Sequence, residues 1–164
     1  MVTAFLGLGS NLGNRLAWLR SGRDRLAAVP GIVLEGSSAL YETTAEGCPP
    51  GSPPFLNAAL KVRTTLAPRQ LLERCLAIEA ELGRTRPERN APRTLDIDLL
   101  LYGDAVIDEP GLKVPHPRLA ERAFALKPLL DVAATGVHPL LRRPLAELAA
   151  ALPTAALTPL QASW

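Results

Sequence analysis

Cysteine is scarce in this sequence: Cys48 and Cys75 are the only two in 164 residues. They form no CxxC pair or other metal-ligand spacing. That argues against a thiolate metal site or a disulfide framework, and it reads as two reduced thiols of a cytosolic protein. Long apolar runs are missing too, so no membrane span is expected. The N-terminus lacks a basic region ahead of its apolar stretch, and Gly7 and Gly9 break that stretch, so no signal peptide is expected. Charge of one sign is also lacking: a net charge of +2 is too small to imply a nucleic-acid binder. There is no internal repeat. What remains is 48% hydrophobic and 21% charged, the composition of a folded globular protein. Residues 1–164 are expected to form one domain with its own core, cytoplasmic and monomeric, with no nucleic-acid or membrane partner.

Against this background one stretch stands out, running from Arg93 to Tyr102. Leu95, Ile97, Leu99 and Leu101 alternate with Thr94, Asp96, Asp98 and Leu100, and a period of two predicts a β-strand. Residues i and i+2 of a strand share a face, so Asp96 and Asp98 stand side by side, roughly 6–7 Å apart at their Cα atoms. Two fixed carboxylates repel unless a cation sits between them or one takes a proton. A hard, oxygen-preferring ion such as Mg²⁺ relieves that repulsion. Immediately upstream come Arg84, Arg86, Arg89 and Arg93, with Glu88 the only acid among them. The chain favours arginine throughout, with 15 Arg against 3 Lys. Four in ten positions is still dense, and guanidinium groups match phosphate oxygens, so the pair and the cluster together point to a metal–polyphosphate site. The bland alternative is a solvated arginine loop beside two ion-paired edge acids.

The remaining elements follow in order. Val2 to Leu8 is a short, largely buried strand, and Gly9-Ser10-Asn11 is read as the turn after it. Ser10 or Asn11 caps a helix that runs through Leu16, Leu19, Leu26 and Ala27 to about Val29, where Pro30-Gly31 stops it. The glycines from Gly7 to Gly13 sit where dinucleotide phosphates bind in some folds, but their spacing is GxGxxxG and no Lys-Ser or Lys-Thr follows. A tight strand-to-helix connection is the better reading. Ile32 to Thr43 is a second strand. Thr44 to Pro54 holds four prolines and two glycines, a long loop of the kind that serves as a lid. Phe55 to Thr64 is a third strand, with Phe55 and Asn57 on one face. There they form either a stacking and hydrogen-bonding pair for a flat heterocycle or a core Phe beside a turn Asn. Pro68 opens a helix whose apolar face includes Leu71, Leu72, Cys75, Ile78 and Leu82, with Glu79 beside that face and Gly83 closing it. Short extended pieces at Val106-Ile107 and Leu112 to Val114 precede Pro115-His116-Pro117-Arg118, where two prolines fix the backbone around His116. A helix over Leu119 to Leu126, ended by Pro128, and a last one over Leu145 to Leu152 complete the pattern. Pro153 to Trp164 carries little signal. The order βαββαβ with further helices predicts an α+β fold with a ferredoxin-like core and a mostly antiparallel sheet.

Taken together these pieces resemble the 6-hydroxymethyl-7,8-dihydropterin pyrophosphokinase family of folate biosynthesis. The resemblance runs from Leu8 to about Asp131. It rests on Gly9-Ser10-Asn11-Leu12-Gly13, Tyr41-Glu42-Thr43, Phe55-Leu56-Asn57-Ala58, Ile78-Glu79 with Gly83-Arg84-x-Arg86, Pro92 to Asp98, and Pro115 to Arg118 with Arg122-x-Phe124. It implies a three-layer αβα fold and transfer of the β,γ-pyrophosphate of ATP to the pterin hydroxymethyl group, releasing AMP. It also implies two Mg²⁺ ions on Asp96 and Asp98, with Arg84 and Arg93 holding the triphosphate. His116 and Arg122 would hold phosphates, and Glu79 would lie near the nucleotide. Phe55 and Phe124 would sandwich the pterin. Asn57 would bond its edge, helped by Thr43, Thr44 and main-chain groups near Glu46. The loops 44–54 and 84–92 would close over the site.

Three positions depart from the family pattern: Thr44 where members often carry Pro, Asn90 where some carry Trp, and Leu76 where some carry Gln. Two rivals remain. A small dinucleotide-binding protein, argued from Gly7 to Gly13 with Glu35 as the ribose acid, leaves Asp96 and Asp98 unexplained. A non-catalytic pterin or nucleotide binder has no need of two metal carboxylates.

Overall fold

The computed structural model describes residues 1–44, 51, 53–83, 95–153 and 157–164. The loop expected over 44–54 lies in part, and the arginine cluster at 84–93 wholly, outside the described residues, as does Cys48.

The chain forms a mixed helix and antiparallel-sheet structure. In order the elements are β1 (Val2–Ser10), α1 (Arg15–Ala27), β2 (Ile32–Ser37), β3 (Leu40–Thr43), β4 (Phe55–Thr64), α2 (Pro68–Glu81), β5 (Asp96–Tyr102), β6 (Ile107–Glu109), β7 (Leu112–Val114), α3 (Ala123–Val132), α4 (Leu145–Ala150) and β8 (Leu157–Gln161). Its main sheet runs β5-β1-β4-β3-β8, with β2 pairing β4 alongside β3, and β6 and β7 make a separate hairpin. Every pairing in the main sheet is antiparallel.

Alternation along the strands divides the core in two. Leu6 and Leu8 of β1 and Ile97 and Leu99 of β5 pack with Leu19 and Leu26 of α1 and Leu71, Cys75 and Ile78 of α2. Leu100 and Leu101 of β5 pack on the other side with Leu126 and Leu129 of α3 and Leu145 and Leu148 of α4. Two consecutive leucines reach the same cluster because the β1–β5 register shifts there: Phe5 faces Leu101 and Leu6 faces Leu99, leaving Leu100 as the extra residue of a bulge.

Several boundaries differ from the sequence reading, each for a local reason. β1 continues through Ser10, so Gly7 and Gly9 lie inside a strand, held by partners on both sides. The turn comes later, with Gly13 at φ 67° and Asn14 capping α1 by accepting from the Ala17 amide. The single strand expected over 32–43 is broken at Ser38, whose hydroxyl accepts from the Ala59 amide and donates to the Ala39 carbonyl. Pro128 lies within α3 and does not end it; the helix begins only at Ala123, after a short 3₁₀ turn at Leu119–Glu121. The carbonyl deprived of its helical partner by Pro128 belongs to Phe124, an exposed residue. The expected helix at 145–152 ends at Ala150. The stretch read as featureless contains β8, paired to β3.

Candidate functional site

Asp96 and Asp98 stand where the sequence put them, side by side on β5. Their neighbours Leu95, Ile97 and Leu99 are buried on the opposite face. Across the ladder Asp96 faces Gly9 and Asp98 faces Gly7. Gly9 in turn faces Asn57 of β4. Three strands thus place carboxylate, bare backbone and amide in line, the outer two about 10 Å apart from the usual strand spacing. The gap between them needs its glycines. A Cβ on Gly9 would lie 2.9 Å from Asn57 Oδ1 and 3.9 Å from Phe55 Cδ1, and one on Gly7 would lie 3.3 Å from a Leu100 methyl. The two glycines form a floor of main chain between the acidic pair and Asn57. A period-of-two reading through Phe5, Gly7 and Gly9 held the signal for this floor, which the turn reading missed.

Asn57 and Thr43 are both buried, and Asn57 Nδ2 donates to Thr43 Oγ1 at 2.8 Å. That bond uses one amide hydrogen and leaves the Oδ1 side toward the glycine floor. Phe55, half-buried, opens β4 next to them, and Thr44 is the exposed residue just past β3. Two further residues hold this end together: Arg15, to which the sequence reading gave no role, and Asn11, which was expected to cap α1 in the place that Asn14 takes. Arg15 pairs with Glu42 at 2.8 Å and donates to the Pro54 carbonyl at 3.0 Å, and Asn11 Nδ2 donates to the Pro53 carbonyl at 3.4 Å.

On the outer edge of β5 a cleft of about 320 Å³ opens between α2, β7 and the segment after it, lined by Glu79, Asp96, Asp98, Lys113 and His116 together with Leu72 and Leu76. Glu79 is 3% exposed, and its carboxylate accepts the Ile97 amide at 2.9 Å. It therefore grips the backbone between the two aspartates. Ile97 is available for this because, among the described residues, β5 is the end strand of the sheet and its outer edge has no strand partner. Lys113 was another lining residue the sequence left unassigned. His116 is placed by its own backbone, whose amide donates to the Leu100 carbonyl at 3.0 Å. Its Nδ1 accepts from the Arg118 amide at 3.2 Å, so the neutral ring carries its proton on Nε2. Burial lowers the His116 pKa; the Asp98 carboxylate opposes that, while the Arg122 and Arg118 charges add to it. The pKa of Arg122 is also lowered, by burial first and then by Arg118, against the pull of Asp98, Glu121 and Asp96. Asp98 is thus within electrostatic reach of both predicted phosphate-binding side chains. The Arg122 guanidinium lies 5.5 Å from the ring centroid of Phe124, which is 39% exposed at the start of α3.

The structure therefore gathers Glu79, Asp96, Asp98 and His116 at one cleft, and Thr43, Phe55 and Asn57 on the adjoining sheet face. Arg122 and Phe124 lie at the start of α3. Arg84, Arg93 and Glu46 lie outside the described residues. The donor set suits Mg²⁺: two carboxylate oxygens supplied by the protein, with further positions left for phosphate oxygens and water, is how this small hard ion is usually held. Among the described residues no cluster of three or more His, Cys, Asp or Glu forms a closed metal cage.

Comparison with solved structures gives the class of fold. Wild-type Plasmodium falciparum HPPK-DHPS matches with a TM-score of 0.71 at 15% identity, over 92% of this chain and 44% of that one. The chain spans less than half the length of that protein. The family model described as 7,8-dihydro-6-hydroxymethylpterin-pyrophosphokinase matches residues 5–134. The chain belongs to that family. It is 47% identical over 133 residues to 2-amino-4-hydroxy-6-hydroxymethyldihydropteridine pyrophosphokinase of Methylorubrum extorquens, covering 81% of this chain and 84% of the relative. The enzyme of the same name from Aquifex aeolicus is 41% identical over 147 residues, 90% of each chain.

Proposed function

We propose that this chain transfers pyrophosphate from ATP to 6-hydroxymethyl-7,8-dihydropterin, giving AMP and the pterin diphosphate, and that Mg²⁺ on Asp96 and Asp98 is required. Members of this family are pyrophosphokinases of folate synthesis, with ATP as co-substrate. The observation that carries the residue-level reading is the carboxylate pair on β5, facing the cleft on one side and the glycine floor on the other.

In this reading the triphosphate occupies the cleft and the pterin lies on the Asn57 side. The substrate hydroxyl attacks the β-phosphorus, and the bond from that phosphorus to the α-phosphate oxygen breaks. Bound at the aspartates, two Mg²⁺ ions would neutralise phosphate charge and make the hydroxyl easier to deprotonate. Neutral His116 offers its Nε2–H to a phosphate oxygen, and Arg122 adds a charge-assisted donor. Glu79 holds the β5 backbone so that Asp96 and Asp98 keep their spacing, and Arg84 and Arg93 are assigned to the triphosphate. Asn57, steadied by Thr43, presents its amide to the edge of the heterocycle, with Thr44 and the main chain near Glu46 alongside. Phe55 and Phe124 supply the two stacking faces.

The broader readings stand as inferences of the same kind. A sheet order of β5, β1, β4 and then β2 with β3, all antiparallel, supports a ferredoxin-like core, and helices on both faces support a three-layer αβα single domain. The buried free thiol of Cys75 fits a reducing, cytoplasmic setting. No described helix is long and apolar enough to cross a membrane. We read the chain as a monomer that binds neither membrane nor nucleic acid.

The test is product analysis. Purified protein with Mg²⁺, ATP and the hydroxymethyl pterin should form AMP, and omitting either Mg²⁺ or pterin should stop it. ADP as the product would mean that the γ-phosphorus is attacked. Asp98→Ala should cut turnover by at least about a hundred-fold while the thermal midpoint stays near that of the parent. Near-normal turnover in that variant would refute the metal assignment.

A further inference from the structure

The segment 157–164 lies beyond the span that the family model matches, and none of the roles assigned above reaches it. It is nonetheless tied to the substrate end of the sheet. β8 pairs with β3 from Leu40↔Gln161 to Thr43↔Leu157, so the ladder ends at the residue that receives the Asn57 hydrogen bond. β3 is only four residues long, and three of them carry cross-links: Tyr41 to Asp131, Glu42 to Arg15, and Thr43 to Asn57. Without β8, β3 would be an edge strand with one row of backbone groups unpaired.

Burial does little to hold β8 in place. Four of its five residues are exposed, and Pro159 interrupts its hydrogen-bonding capacity. Its attachment beyond the ladder is Trp164. The indole packs against the core cluster of α1 and α2. Its Nε1–H donates to the Ser38 carbonyl at 2.8 Å. The Arg23 guanidinium lies 4.7 Å from the ring centroid and also donates to the Trp164 carbonyl. Ser38 is the break between β2 and β3, pinned to Ala59 of β4 through both backbone and hydroxyl. A tryptophan fixed there anchors the far end of β8 and keeps the strand zipped along β3 up to Thr43.

We propose that Trp164 is a positioning residue for the pterin half of the site: by holding β8 on β3 it fixes Thr43 and, through Thr43, the Asn57 amide. This rests on the assignment of the pterin to the Asn57 side. The two halves of the site then respond differently to Trp164. Glu79, Asp96, Asp98 and His116 are carried by α2, β5 and the segment after β7, none of which pairs with β3 or β8.

Steady-state kinetics of AMP formation on the full chain test this, with KM measured separately for pterin and for ATP. Trp164→Ala should raise the pterin KM by about five- to ten-fold, the scale of one weakened hydrogen bond, with the ATP KM within about two-fold. Trp164→Phe keeps part of the ring packing and loses the Nε1–H donor with the rest of the indole, so it should give a smaller shift of the same kind. In hydrogen exchange those amides of residues 40–43 that face β8 should lose protection in both variants while Leu6 and Leu8 of β1 keep theirs. Equal rises in both KM values, or an unchanged pterin KM, would overturn the proposal. If Trp164→Ala does not fold, Trp164→Phe decides by the same criterion. Asn57→Ala separates the two levels of inference. If it leaves the pterin KM unchanged, the placing of the pterin is wrong and the role of Trp164 falls with it. If it raises the pterin KM and the Trp164 variants do not, only the role of Trp164 falls.

Discussion

At the scale of single residues the site depends on atoms that are absent as much as on those present. Gly9 has no Cβ because 2.9 Å from Asn57 Oδ1 leaves no room for one. Gly9→Ala should push the Asn57 amide aside and raise the pterin KM by about ten-fold or more, with the ATP KM little changed. Steady-state kinetics check it, and an unaffected pterin KM would show that the floor is not used. Phe124 is the opposite case, a large apolar ring left 39% exposed in a chain with only three Phe. Phe124→Ala removes little core packing, so the fold should tolerate it. Titration calorimetry should show pterin affinity falling far more than ATP affinity; equal losses would contradict a stacking role. The sequence revealed both aspartates, because a period of two with leucines on one face admits few other readings. It did not reveal what Glu79 does. An acid beside the buried face of a helix asks for a partner, and one that it has is a backbone amide, which no residue pattern records.

Among the elements, β4 and α2 were the most legible. Phe55–Thr64 and Pro68–Glu81 each carry one clear period and end at turn signals. β8 was not legible, because an edge strand with four of five residues exposed has no buried face to write into its sequence. Asp131 of α3 ties down β3 and the residue before it: Tyr41 Oη donates to Asp131 Oδ2 at 2.8 Å, and the Ala39 amide donates to the same oxygen at 3.1 Å. Burial, then the hydrogen bond and charge of Asp131, push the Tyr41 pKa up to about 12 from 10.0. Between these values the unfolded chain has released this proton and the folded one has kept it. The associated stability is intact below pH 10 and is lost as pH rises toward 12. Urea midpoints should therefore fall across that window. In Tyr41→Phe they should fall less there, from a starting stability lower by about 1 kcal/mol at neutral pH. A pH dependence equal to that of the parent would remove Tyr41 as the cause.

Over the whole molecule the two hydrophobic clusters share one sheet, and Cys75 sits fully buried within the larger of them. Burial, with the charges of Glu79 and Asp98 adding to it, pushes its thiol up to about 12. In a Cys48→Ser background, iodoacetamide should label Cys75 at least about a hundred-fold more slowly in the native protein than in urea, and the rate should follow global unfolding. Rapid labelling of the native protein would mean that α2 opens locally. The mixed helix and antiparallel-sheet architecture was readable because the local periods mark strands and helices along the chain, although the strand expected over 32–43 is two. The continuous glycine floor was not, because residue preference reads Gly9 as the start of a turn, and only pairing on both sides makes it strand.

That floor bears on how the protein could escape an inhibitor. A compound lying across Gly7 and Gly9 would rest on peptide groups, which a point mutation cannot alter in kind. The available change is to add a side chain, and at Gly9 that side chain collides with Asn57, the residue assigned to the natural substrate. A mutation at Gly9 that evicts the drug would disturb the substrate's place too, so resistance should arise elsewhere than at Gly9.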